Sequence, residues 1–315
     1  MAKKIAFVFP GQGAQYVGMS MDFVEGKADL KEILEKFDKD NNTELFRIMA
    51  EGPESELTET KYTQPAILFH SIAAWKSLTE RIAITPDFVA GHSLGEFTSL
   101  VANGVLTLSD AMYLVHRRGQ FMIDANEGKP FAMAAIMGID SEAVKEICKE
   151  AEAAGIVIPA NFNSPVQTVI SGSKAGVEKA MELAKEKGAK RAIPLNVGGP
   201  FHSPLIEKAG VWLAEEMEKL DFANAKIPVV SNVDAQPHTY ATKIKENLAK
   251  QVTSSVRWIE SVEYMIEQGV ELFVEFGPQK VLSGMIKKID KNISVVNVDK
   301  LTDIENAIEV IEEYV

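Results

Sequence analysis

One cysteine, Cys148, stands among 315 residues. No disulfide can form within such a chain, and no multi-thiolate metal site can be built. The surrounding stretch, Glu142 to Cys148, has helical periodicity with the thiol on its apolar side, so a buried, inert thiol is expected rather than a nucleophile. Long apolar runs are missing near the amino end. The run that follows Met1-Ala2-Lys3-Lys4 stops after Phe9 at Pro10-Gly11, too short for a signal-peptide core or a membrane span, and a cytoplasmic, reduced setting is the expectation. Positive charge is also short. Lys and Arg number 33 against 45 Asp and Glu, a net charge of −12, which argues against nucleic acid or an anionic membrane as partner. Any anionic ligand has to be met by a local cation. Neither disorder nor a collagen-like or low-complexity chain is indicated, because 46% hydrophobic and 25% charged residues with 21 Gly and 13 Pro are ordinary globular values. The length allows one large domain, or one carrying an inserted smaller one.

What is present is an alternation of strands and helices. Ile5 to Phe9 reads as a buried strand ended by Pro-Gly, with Gly11 to Gln15 as a loop at its carboxyl end. A helix over 64–81 with Pro65 near its start, a strand over 87–91, and helices over 94–102 and 108–125 follow. Such alternation predicts a mostly parallel sheet covered on both faces. The rhythm then changes. A strand at 131–138, a helix at 141–154, strands at 156–161 and 167–171, a helix at 174–187 and a strand at 190–197 give the order βαββαβ, a ferredoxin-like arrangement. The expected organisation is therefore an α/β fold: a large domain from residues 1–128 and 199–315, interrupted by a small domain at 129–198. Hinges are expected near 126–130 and 197–200. Helices at 203–220, 244–251 and 258–268, strands at 227–232, 270–276 and 294–298, and short and terminal helices complete the large part.

Gly91-His92-Ser93-Leu94-Gly95 matches the G-x-S-x-G pattern of a serine on a sharp strand-to-helix turn. Glycines let such a turn fit against its neighbours, and the amide end of the following helix faces developing negative charge. The plainer alternative is a tight βα turn that needs small residues. A serine nucleophile needs a base, and five histidines compete. His70 lies in an apolar helical stretch, His92 points away from its neighbour Ser93, His116 sits on a helix beside two arginines, and His238 follows Gln236-Pro237 in a loop. His202 lies in the rigid loop Gly198-Gly199-Pro200-Phe201-His202-Ser203-Pro204 and is the favoured base. A standard α/β-hydrolase order is excluded, since no histidine follows His238 and much βα structure follows His202.

Several further motifs stand in order along the chain: Phe9-Pro10-Gly11-Gln12-Gly13-Ala14-Gln15, Thr63-Gln64-Pro65-Ala66, Glu96 after the serine motif, and Arg117-Arg118-Gly119. Asn161 to Pro165, Gly199 to Ser203, Gln251 with Val256-Arg257-Trp258, and Glu275-Phe276-Gly277-Pro278 continue the series. Together they make the sequence resemble the malonyl-CoA:acyl carrier protein transacylases along nearly its whole length. That resemblance implies a hydrolase-like α/β domain with an inserted ferredoxin-like unit, and a malonyl group carried as an ester on Ser93. It implies His202 as base and then acid, and Gln12 and Leu94 as backbone N–H donors of an oxyanion hole. It also implies that the Gln251 main-chain carbonyl, not a carboxylate, orients His202.

Arg118 is the expected anchor of the malonyl carboxylate, because burying that charge unpaired is prohibitive and a guanidinium answers it with two parallel hydrogen bonds. Arg117 is expected to be a helix-surface residue. Gln64, Gln251 and Phe201 join Arg118 as pocket residues, and the phenyl ring of Phe201 disfavours a branched α-carbon. A single methyl is worth only about 1–3 kcal/mol in a pocket, so this is a preference. Two departures from the family stand out: Phe97-Thr98-Ser99 where many members have Tyr and two alanines, and Gln279 where Gly is frequent. Neither touches a named chemical role.

The implied reaction uses malonyl-CoA as a thioester substrate, no resident cofactor, no metal, and a phosphopantetheinylated acyl carrier protein as acceptor in fatty-acid synthesis. A polyketide pathway is the nearer alternative. A serine thioesterase or hydrolase would lack a carboxylate anchor, and a non-catalytic carrier-binding module would have no use for the whole set. Lys187, Lys190 and Arg191, or Lys287, Lys288 and Lys291, could meet an acidic carrier protein, although solvated surface is the ordinary reading of both clusters. A monomer is expected.

Overall fold

The computed structural model describes residues 3–315; Met1 and Ala2, the start of the basic lead-in, lie outside them. Ten strands are present among these residues: β1 (Lys4–Phe9), β2 (Phe88–Gly91), β3 (Phe131–Met137), β4 (Val157–Ser164), β5 (Gln167–Ser173), β6 (Arg191–Pro194), β7 (Val229–Val230), β8 (Pro237–His238), β9 (Val270–Phe276) and β10 (Ser294–Val298). Six form one sheet in the order β10-β9-β1-β2-β7-β8, parallel throughout except for the edge pair β7–β8. Ile5 to Phe9 of β1 and the whole of β2 are short continuous apolar runs because helices cover both faces, while β9 adds an exposed Glu271 and a buried Glu275. Phe7 and Phe276 meet edge to face with centroids 4.9 Å apart, and Phe9 stacks on the same ring at 5.9 Å.

The other four strands form an antiparallel sheet in the order β4-β5-β3-β6. Helices Ser141–Ala151 and Lys174–Glu186 lie on one of its faces. Both are started by side-chain caps, Asp140 accepting from Ala143 N at 2.8 Å and Ser173 from Gly176 N at 3.2 Å. Strand periodicity sends Ala134 and Ile136 of β3 towards these helices and Met133 and Ala135 the other way, where they line a cavity between the two sheets. Cys148 packs in the helix-covered face, and burial pushes its thiol up to about 12, so it stays protonated. β4 is tied to the segment before helix Trp258–Glu267 by main-chain bonds from Phe162 N to Val256 O at 2.9 Å and from Val256 N to Ala160 O at 2.8 Å.

Several expected elements shift. The helix expected over 64–81 runs Thr60–Thr79, which places Pro65 inside it rather than near its start. Proline cannot bond the carbonyl four residues back, and His116 Nδ1 takes that carbonyl, Lys61 O, at 2.8 Å instead. The strand over 190–197 is only Arg191–Pro194, and that over 227–232 only Val229–Val230, because the chain leaves each sheet towards the cavity or a turn. The helix over 203–220 is a 3₁₀ turn, Pro204–Ile206, followed by Glu207–Met217, and the one over 141–154 ends as α-helix at Ala151. Four helices went unread: Met21–Glu25, Ala28–Asn41, Leu45–Glu51 and Glu54–Leu57. They bury Phe23, Leu30, Leu34, Phe37, Ile48 and Leu57 against the large sheet's core.

Candidate active site

The turn from β2 to helix Leu94–Ala102 is built by close approach. A Cβ on Gly91 would fall 1.9 Å from Gly95 C, and one on Gly95 would fall 1.9 Å from Phe9 O. Only glycine lets helix, β2 and β1 come together, and the turn closes with Ser93 at φ 51 and ψ −104. That strained backbone holds the hydroxyl clear of the sheet. Asn232 clamps it, accepting from Ser93 N at 2.7 Å and donating to Gly91 O at 2.7 Å.

Ser93 Oγ lies 2.8 Å from His202 Nε2, and His202 Nδ1 lies 2.9 Å from Gln251 O. A carbonyl can only accept, so Nδ1 carries the proton and Nε2 is left as the acceptor. His202 is itself held at φ 57. Burial first, and the Arg118 cation second, hold its imidazole well below the usual range, at about 3. The ring is therefore neutral at neutral pH.

Arg118 reaches the same point from helix Leu108–Asp124, 1% exposed. Its Nη1 donates to Gln64 Oε1 at 2.8 Å, and its Nη2 donates to Gln251 Oε1 at 2.8 Å and to Ser93 Oγ at 3.0 Å. All three acceptors are uncharged, and Nε is buried without a partner among the described residues. Burial lowers this guanidinium to about 10, which leaves it a cation at neutral pH. A buried cation with no carboxylate in direct contact favours an anionic ligand. Phe97, one of the departures from the family pattern, lies under it at 5.2 Å.

A cavity of about 250 Å³ opens onto these groups. Gly11, Gln12, Gln64, Ser93, Leu94, Arg118, Phe201 and His202 line it from the large-sheet side, and Met133, Asn161, Val169 and Leu195 from the small-sheet side. The structure thus brings together Ser93, His202, Arg118, Gln64, Gln251, Phe201, Gln12 and Leu94. It keeps the other histidines apart from the hydroxyl: His92 Nε2 faces Asn163 Oδ1 at 2.8 Å, His70 lies against Ser20, and His238 pairs with Asp234 at 2.9 Å.

Sequence reasoning missed the layer behind the serine. Gln251 Nε2 donates to Glu96 Oε2 at 2.7 Å and to Ser93 O at 3.0 Å, and Asn232 N donates to Glu96 Oε2 at 3.1 Å. Burial pushes the Glu96 carboxyl up to about 7, against the pull of these donors. Asn232 has no local motif that would have revealed it.

A hydroxyl on a strained turn, a neutral imidazole and an unpaired buried cation around one cleft are the parts of a serine-dependent acyl-transfer enzyme. The family model for the acyl transferase domain matches residues 6–303. A malonyl CoA-acyl carrier protein transacylase of Bacillus subtilis is 47% identical over 311 residues, covering 98% of each chain. The solved malonyl CoA-acyl carrier protein transacylase of Coxiella burnetii superposes with a TM-score of 0.94 at 37% identity, over 98% of each chain. A malonyl-transacylase solved in complex with a type II PKS acyl carrier protein gives 0.93 at 39% identity, over 98% of this chain and 99% of that one. The chain belongs to the acyl transferase domain family, and it is an acyltransferase.

Proposed function

We propose that this enzyme moves a malonyl group from malonyl-CoA to the phosphopantetheine thiol of an acyl carrier protein, through a malonyl ester on Ser93, in the supply of fatty-acid chain elongation. The observation that carries the reading is the buried Arg118 guanidinium, with no carboxylate in direct contact, beside a serine hydroxyl that faces a neutral histidine. Esters and thioesters of neutral acids need no such cation; a short diacid does.

The geometry supports two half-reactions. Ser93 Oγ gives its proton to His202 Nε2 and attacks the thioester carbonyl, and the oxyanion is met by the amides of Gln12 and Leu94. The C–S bond breaks, and the proton on Nε2 goes to the CoA thiolate. The carrier thiol then gives its proton to Nε2 and attacks the ester; the C–O bond breaks and the proton returns to Ser93. The far carboxylate pairs with Arg118 throughout, which also offsets the cation that depresses His202 and so strengthens the base as substrate arrives. Phe201, 7% exposed on the cavity wall, narrows the space at the α-carbon.

In this reading residues 129–198 act as an inserted unit that covers the cleft and keeps water from the ester. Lys190 and Arg191 on that unit, and Lys288 and Lys291 on the large part, are exposed and are candidates to meet an acidic carrier; Lys187 is already paired with Glu150, and Lys287 with the Ile293 carbonyl. The setting is cytoplasmic, the enzyme is a monomer, and no cofactor is needed. Among the described residues no helix is long and apolar enough to cross a membrane, and no group of three or more His, Cys, Asp or Glu could hold a metal. Supply of a polyketide pathway is the second reading, favoured by the likeness to the transacylase solved with a type II PKS carrier.

Mass spectrometry of the intact protein tests the proposal. Brief exposure to malonyl-CoA is expected to add one malonyl group, and holo carrier protein added second is expected to remove it with acylation of the carrier. An enzyme that stays unmodified, or that releases malonate to water as fast without carrier as with it, would refute transfer.

A further inference from the structure

Glu96 takes no part in the transfer just described, yet its carboxylate is 1% exposed directly behind the site. Besides Ser231, its partners are two groups that hold reacting residues. Oε2 accepts from Gln251 Nε2 at 2.7 Å and from Asn232 N at 3.1 Å. A primary amide has two unlike ends. With its NH2 end held by the carboxylate, Gln251 presents Oε1 to Arg118 Nη2 at 2.8 Å. Turning the amide over would set oxygen against carboxylate and NH2 against guanidinium, like against like. Opposite buried charges are thus joined through one oriented amide, and the attraction of Glu96 for Arg118 acts in the same sense. The same residue accepts His202 Nδ1 on its main-chain oxygen at 2.9 Å and donates Nε2 to Ser93 O at 3.0 Å.

We propose that Glu96 is a positioning residue for recognition of the diacid: acting through the Gln251 amide, it fixes the Arg118 guanidinium where the free carboxylate of an ester on Ser93 meets it. Glu96 touches neither the acyl group nor the reacting atoms. Its second arm, through Asn232, reaches the nucleophile's turn, so loss of Glu96 slows every acyl group somewhat. The distinguishing effect is on selection. An acetyl group has no carboxylate and makes no use of a well-placed Arg118. The inference rests on the malonyl-transfer reading above.

The test is the rate of Ser93 acylation by malonyl-CoA and by acetyl-CoA in wild type, Glu96→Gln, Gln251→Met and the double variant, with a thermal melt of each. Gln251→Met removes the bridging amide and keeps the main-chain carbonyl that holds His202. Read at pH 8, where a carboxyl at about 7 is mostly ionised, Glu96→Gln loses the charge at nearly constant volume, and charge-assisted bonds are about twice as strong as neutral ones, so the malonyl-over-acetyl ratio is expected to fall roughly fivefold, mostly through KM. The double variant is expected to show the ratio of Gln251→Met alone, because two residues acting in series do not add. An unchanged ratio in Glu96→Gln, with both acyl groups slowed alike, overturns the proposal, as does a multiplied loss in the double variant. If Glu96→Gln shows no native melt, Glu96→Asp, which withdraws the carboxylate by one methylene, is read in its place with the same two outcomes. Failure of the underlying reading looks different, since the wild type itself would then take up no malonyl group.

Discussion

Two serine–histidine pairs in this molecule invite comparison. Ser93 opens helix Leu94–Ala102 at φ 51 and meets His202; Ser20 opens helix Met21–Glu25 at φ 71 and meets His70 Nδ1 at 3.0 Å. The second pair even has the carboxylate that the first lacks. His70 Nε2 lies 3.1 Å from Asp299 Oδ1, and Tyr16 OH donates to the same carboxylate at 2.8 Å. By residue types alone, Ser20, His70 and Asp299 form the more familiar triad. Yet Ser20 is 1% exposed and His70 fully buried, packed edge-on by Phe23 and Tyr16, and neither lines the cavity. A nucleophile needs space for substrate, amides for the oxyanion and a base with a free acceptor nitrogen. Only the Ser93 pair has them, with an unpaired cation besides. The Ser20 pair ties the segment after β1 to the turn after β10.

Exchange of each serine breaks the comparison most sharply. Ser93→Ala is expected to cost at least roughly 10³-fold in transfer, the scale of losing a covalent nucleophile, while Ser20→Ala keeps transfer; equal losses would erase the distinction. Next comes the turn. Gly95→Ala sets a methyl 1.9 Å from Phe9 O, and a loss of about 3 kcal/mol or more in denaturant unfolding is expected from such overpacking. A variant of wild-type stability would show that the approach of helix to strand is not tight.

The pH dependence separates the histidines more gently. His202 is depressed from 6.5 to about 3, so the unfolded chain binds its proton first, and stability from this group is present above 6.5 and lost as pH falls towards 3. The basic form also persists below 6.5. The acid limb of kcat/KM for malonyl-CoA is therefore expected well below 6; a limb at 6.5 would mean a solvated imidazole. The smallest effect is on stability in Ser20→Ala, about 1–3 kcal/mol for leaving a buried ring nitrogen unpaired, read from chemical denaturation; no change would deny the tie.

Legibility followed locality. The nucleophile's turn was readable because strand, glycines and helix are contiguous, and the alternation of strands and helices announced the parallel sheet. His202 stood out only by its rigid loop. Pro65 misled, since the carbonyl it frees is met by His116, fifty-one residues further on. Of the helices between Met21 and Leu57, Met21–Glu25, Leu45–Glu51 and Glu54–Leu57 have too few turns for a period to stand clear, whereas Ala28–Asn41 carries Leu30, Ile33, Leu34 and Phe37 at helical spacing and was legible in the sequence. Glu96 and Asn232 come from distant stretches and act through one another, and the amide of Gln251 joins them only in three dimensions.

The charge of the acyl group is what Arg118 is placed to read. Acylation of Ser93 measured with malonyl-CoA and acetyl-CoA in wild type and Arg118→Ala is expected to show malonyl transfer falling by roughly 10²-fold or more, the scale of a buried ion pair broken on one side, with acetyl transfer much less affected. Equal losses for the two acyl groups would contradict a guanidinium that grips the diacid's far end.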